Sequence, residues 1–300
     1  VGRASFRWIS DVRLSFAQSL YVNAIDEKSV DPKATDVLLP AVQFVHDRLA
    51  TDQTNPNRFW HEFRVLVSRQ SSVFQSVQQS LKIAECQDPR IDEAAETISQ
   101  KLEEAKSDYA ATFPDLSEQI DLRCRPLRDR WDTCGFGLLR LFEKKFWGGE
   151  SANQEFWVDD LPLVMIQPAR GGDGGFDAIS PCVWMEAMLT DVDQQVPEIL
   201  RLAWLVSCLS ADRVMTQRNA DREACVVCQL ASLALMLDLG TEFDLIRSAE
   251  LPVVRAMEMW RIGQPSHASI LADWYRHEYS QENSLPSQIH SLQNRLSRDA

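Results

Sequence analysis

The chain has 300 residues, with 31 basic against 44 acidic side chains and a formal charge of −13. Its 45% hydrophobic content, with 13 Phe, 9 Trp and 4 Tyr, is enough to build a core and excludes a wholly disordered chain. The negative balance disfavours docking on phosphate backbones or anionic bilayers, so neither nucleic-acid nor membrane binding is expected. The 7 cysteines are an odd number and several lie in apolar stretches, which reads as reduced thiols in a cytoplasmic protein. The sequence reads without a signal peptide, and no uninterrupted apolar run approaches the roughly 18 residues of a membrane span.

In chain order, the first half reads as helix. Phe6, Ile9, Val12, Phe16 and Leu20 step by three and four, which predicts one helix over 4–23. The stretch 38–49 repeats the pattern. Over 57–84, Phe59, Phe63, Leu66, Val73, Val77 and Leu81 form a stripe interrupted by Gln70, with Asn55-Pro56 as a start signal. Asp88-Pro89 reads as the cap of a helix over 90–111, thin in apolar residues and dense in Ala, Glu and Lys. That helix is expected to be exposed along most of its surface and is the element expected to meet a partner. From 116 to 147 a helix or helix pair is expected, interrupted by Pro126 and again near Gly135 and Gly137.

Beyond Trp147 the texture changes. Gly148-Gly149 opens a linker. Leu161-Pro-Leu-Val-Met-Ile-Gln167 reads as a buried strand, and 176–190 as a second strand with Pro181 marking a bulge or edge. The two strands and the loop between them predict one β-hairpin over about 161–190. Helices are then expected over 196–209, 223–239 with Gly240 as its C-terminal cap, 251–262, 266–279 and 285–296. The expected fold is mainly α with a minor β component. A multi-helix region over 1–147 leads into an α+β region over 148–300, in which a helical core carries the hairpin. One continuous domain is the alternative organisation.

Two constellations have the residue types of a binding site. Arg170, Gly171, Gly172, Asp173, Gly174, Gly175 and, just after, Asp177 form a glycine-rich loop whose backbone N–H groups could converge on an anion. It matches neither a phosphate loop nor a dinucleotide fingerprint. A flexible hairpin tip is the plainer reading. Arg123, Arg125, Arg128 and Arg130 are a dense basic cluster suited to an anion or acidic partner, or to pairing with Asp121, Asp129 and Asp132. Cys225-Val-Val-Cys228 has the spacing of a metal pair, but no second pair accompanies it and the run around it is apolar, so core thiols are expected. His61-Glu62 and His277-Glu278 each lack the second histidine of a zinc-peptidase motif. No metal, cofactor or catalytic residue is expected.

These readings favour a non-enzymatic interaction or scaffold protein that meets a protein partner or a second copy of itself. The first alternative is a small-ligand binder or enzyme using the loop 171–175. The second is a catalytically inactive metallopeptidase-like core, because an acidic turn leads from a strand into the apolar helix 197–209 where a histidine ligand is missing.

Overall fold

The structure is a computed structural model, and it describes residues 5–69, 72–87, 90–148, 156–248 and 250–298. Gln70, the Asp88-Pro89 cap and Gly149 lie outside them. The fold is mainly α with a small sheet. Its elements are β1 (Phe6–Ser10), α1 (Val12–Ala24), α2 (Pro32–Thr51), α3 (Pro56–Arg69), α4 (Val73–Ile83), α5 (Ile91–Thr112), α6 (Leu116–Arg130), a π-helical turn (Trp131–Gly135) and α7 (Phe136–Trp147). After these come β2 (Leu161–Ile166), β3 (Gly174–Asp177), β4 (Cys182–Glu186), α8 (Glu198–Gln217), α9 (Arg222–Glu242), α10 (Val253–Trp260), α11 (Pro265–His277) and α12 (Leu285–Leu296).

The first expected helix is a strand followed by a helix. Asp11 is extended and its carboxylate accepts the Leu14 N–H, so α1 begins there and the residues before it fall outside the helix. Phe6–Ser10 alternates aromatic, β-branched and polar side chains, a strand composition that the helical spacing concealed. Leu161 N–H donates to the Ser5 carbonyl and Asp11 N–H to the Met165 carbonyl, so numbers rise together and β1 and β2 run parallel.

The expected single hairpin is also rearranged. The sheet order is β1-β2-β4-β3. The hairpin is β3–β4, antiparallel, with Gly175 opposite Trp184 and Phe176 opposite Val183. Gly174 and Gly175 therefore belong to a strand. Pro181 sits in the turn after β3, where its missing N–H breaks no ladder bond. The glycine-rich segment carries the chain from β2 past β4 to the outer strand β3.

Pro126 lies inside α6, and the helical path continues through the π-helical turn into α7 without the expected break. Gly240 lies inside α9. A Cβ there would stand 2.5 Å from Leu200 Cδ1, so this glycine lets α8 and α9 pack closely.

The chain divides into two compact units, one comprising 1–9, 122–164 and 172–300, the other 10–121 and 165–171. In the second unit α1 packs on α2 and α3, and α5 packs on α2 and α4. Its core includes Leu14, Phe16, Leu20, Phe59, Trp60, Phe63, Ile98 and Leu102. Segment 165–171 is tied in by polar contacts: Tyr109 donates to Gln167, Gln167 N–H donates to Ser15 Oγ at 3.0 Å, and Val30 N–H to the Ala169 carbonyl at 2.9 Å.

In the first unit α9 packs against α7, α8, α10, α11 and α12. It is long and apolar enough to cross a bilayer, yet 67% of its apolar stretch is buried inside the protein, which is the packing of a core helix. Helix α8 lies on β3 and β4. That placement brings the start of α8, the end of β4 and the second half of the glycine-rich segment together.

Candidate functional site

Sixteen residues of α8 are buried, and two of them are charged: Glu198 and Arg201. Buried charges on an apolar helix need partners. Their surroundings hold further acids. Glu186, Glu198 and Arg201 are only 0%, 5% and 2% exposed, and Asp173 is buried as well. Arg201 Nη1 lies 3.5 Å from Glu198 Oε2, Nη2 donates to the Met259 carbonyl at 3.0 Å, and the guanidinium lies 5.4 Å from the Trp260 ring centre. Its Nε is buried without a hydrogen-bond partner.

Gly172 makes this cluster possible. Its φ of +106° is closed to most side chains, and a Cβ would stand 2.9 Å from Arg201 Nη1. The Gly172 N–H donates to Glu186 Oε2 at 2.7 Å, and the Glu186 N–H donates to the Asp173 carbonyl at 2.8 Å. A single N–H of the glycine-rich segment thus meets an acid, and that acid is a side chain of the chain itself, while the Gly174 N–H turns to Asp173 Oδ1 at 2.8 Å.

Electrostatics follow from this crowding. Burial pushes the Glu198 carboxyl above its ordinary range, Arg201 pulls it back, and Asp191 and Glu186 push it further up. Burial lowers Arg201, while Glu198, Asp173 and Glu186 oppose that shift.

Two cavities open at the start of α8, and Glu198 lines the first of them. One, of about 240 Å³, is lined by Pro126, Leu127, Met188 and Leu189 together with Arg130, Asp191, Gln194 and Glu198. The second, of about 630 Å³, shares Arg130, Asp191 and Gln194 and adds Gln195, Asp244, Arg247 and Ser248. The first has apolar flanks with a buried carboxyl, and the second is polar. Asp191 joins them: its carboxylate accepts the Glu198 N–H at 2.9 Å, stitching the start of α8, and pairs with Arg130. Arg130 is the last residue of α6, directly before the π-helical turn. π turns occur often at functional sites because they re-aim the side chains around them.

The other expected site residues are dispersed. Arg170 is held by both Glu27 oxygens in the second unit, its Nε donating at 2.6 Å, and its guanidinium lies 5.7 Å from the Tyr21 ring centre. Gly171 has a φ of +80°. Asp177 is buried and accepts the Ile179 N–H at 2.9 Å, turning the β3–β4 hairpin. Gly175 lets the Trp184 ring lie over the strand, since a Cβ would stand 2.4 Å from it. Of the four arginines, Arg123 and Arg125 are exposed and Arg128 lies 5.3 Å from the Trp8 ring centre. Only Arg130 reaches the cleft, and its partner is Asp191, not a neighbour in sequence. Cys228 is buried, which drives its thiol up to about 12. Among the described residues no group of three His, Cys, Asp or Glu side chains is placed to hold a metal.

No family model, curated protein or solved structure matches the chain.

Sequence reasoning passed over Asp191, Glu186, Glu198 and Arg201. A signal was present for two of them: Glu198 and Arg201 stand three apart on a helix apolar nearly all round. A glutamate and an arginine there must be buried, paired and costly to keep.

Proposed function

We propose that this chain is a non-enzymatic interaction protein whose recognition site is the two-part cleft at the start of α8, where it grips an extended segment of a protein partner. One observation carries the reading: the two cavities share Arg130, Asp191 and Gln194, and the nearly buried Glu198 lines the smaller one. An apolar-flanked pocket beside a polar one suits a chain segment, with one side chain inserted and backbone groups meeting Arg130, Gln194 and Gln195. The charge of −13 supports a protein partner over a polyanion.

This reading moves the partner site away from α5. The exposed face of α5 is laced by its own pairs, Lys101–Glu104 and Lys106–Glu103, as a solvated face would be.

Selection of a random displayed-peptide library on the wild-type chain tests the proposal. Peptides should be enriched, and Gln194→Trp, which fills the junction of the cavities from an exposed position, should weaken them by about tenfold or more. Enriched peptides that bind the Gln194→Trp variant as tightly as the wild type would place recognition elsewhere.

A further inference from the structure

If the cleft is the recognition site, the reading on which this step rests, its lining also selects the occupant. We propose that the 240 Å³ cavity takes the side chain of a lysine in a basic partner segment, its methylenes along Pro126, Leu127, Met188 and Leu189 and its ammonium on Glu198 and Asp191.

The charges around Glu198 carry the argument. From its own helix comes Arg201, which also lies near Asp173 and Glu186. From β4 comes Glu186, and from the loop before α8 come Asp191 and the Val192 N–H. Arg130 faces Asp191 from α6, and Arg261 faces Arg201 from the end of α10. Four carboxylates thus meet three guanidiniums, in a chain that is itself strongly acidic. A carboxyl so placed holds a proton or takes a cation. An ammonium docked beside it replaces the proton, which leaves to buffer, and the carboxylate that remains accepts hydrogen bonds from the incoming nitrogen. A lysine stem is apolar along its length and charged at its tip, which matches a lining that combines Leu127, Met188 and Leu189 with the acids Asp191 and Glu198. A glutamate side chain would meet like charge, and an aliphatic one would bring no second cation to set beside Arg201 against the surrounding acids.

The test is calorimetry with a short, end-blocked neutral peptide carrying one central lysine, beside versions carrying norleucine or glutamate. The lysine peptide should bind at least about tenfold more tightly than either. Heats in two buffers of different ionisation enthalpy should show proton release, and affinity should rise with pH as Glu198 deprotonates. Glu198→Gln should lose about tenfold in affinity. Leu189→Lys, on the exposed rim, should weaken binding without touching the core. Equal or tighter binding of the norleucine or glutamate peptide, or lysine binding indifferent to both variants, would overturn the choice of occupant while leaving the recognition cleft standing. Failure of all three peptides to bind, with displayed peptides still sensitive to Gln194→Trp, would overturn the lysine proposal alone. Failure there too would remove both.

Discussion

Glu198, Glu186 and Asp173 crowd three acids around the one guanidinium of Arg201, and folding has to bury them together. The Glu198 carboxyl is held above its ordinary range by burial and by Asp191 and Glu186, with Arg201 opposing. In the unfolded chain it titrates near its usual value of about 4.3. Between that pH and its folded pKa the native state holds the extra proton, so stability falls as pH rises through this window. Glu198→Gln should flatten that slope and be no less stable than wild type at about pH 8. Urea unfolding from about pH 5 to about pH 8 reads this, and an unchanged slope would assign the proton elsewhere. Arg201→Met should cost about 3–5 kcal/mol, because it strands buried carboxylates, and the same denaturation measures it. Gly172→Ala forces a side chain into a positive φ and against Arg201, and should cost about 1–3 kcal/mol. Gly172 was legible as a glycine needed for its backbone. That its N–H serves Glu186 was not, because strand order brings Glu186 there and spacing does not reveal strand order.

At the scale of elements, periodicity found what local forces decide. β2 and α12 fall where their patterns place them, since each has a regular apolar face and clear ends. Helix α12 buries Leu285, Ile289, Leu292 and Leu296 despite a polar composition, so it is anchored along its length. Errors arose where tertiary contact overrode local pattern. β1 fits helical spacing but pairs with β2, and Gly240 resembles a cap but is a contact with Leu200. The π-helical turn hinges on a similar contact, because a Cβ on Gly135 would stand 2.6 Å from the Trp131 ring. Gly135→Ala should therefore destabilise by about 1–3 kcal/mol, read as a lowered denaturation midpoint. It should also weaken peptide binding by re-aiming Arg130, five residues back along the helix. Unchanged stability would show that the ring moves freely and that the turn has another cause. Asp221 caps α9 through the Ala224 N–H at 2.8 Å, and its replacement by Ala should cost about 1 kcal/mol.

At the scale of the molecule, the charge of −13 governs how the chain meets others. A basic segment should arrive under electrostatic attraction, so its association rate should fall as salt rises, while contacts inside the cavity should hold its dissociation rate nearly constant. Composition and periodicity made the helical class, the minor sheet and the buried Cys228 legible, while Cys225, expected in the core beside it, is only half-buried. They made Arg130 visible only as one of four arginines. The site itself assembles from α6, β4, the loop after it and α8, and no local spacing encodes that convergence. The most direct test of the account is amide chemical-shift mapping of the lysine peptide on the isotopically labelled chain. The account predicts shifts concentrated at Arg130, Leu189, Asp191, Gln194 and Glu198. Shifts concentrated on the exposed face of α5, or none at saturating peptide, would contradict it.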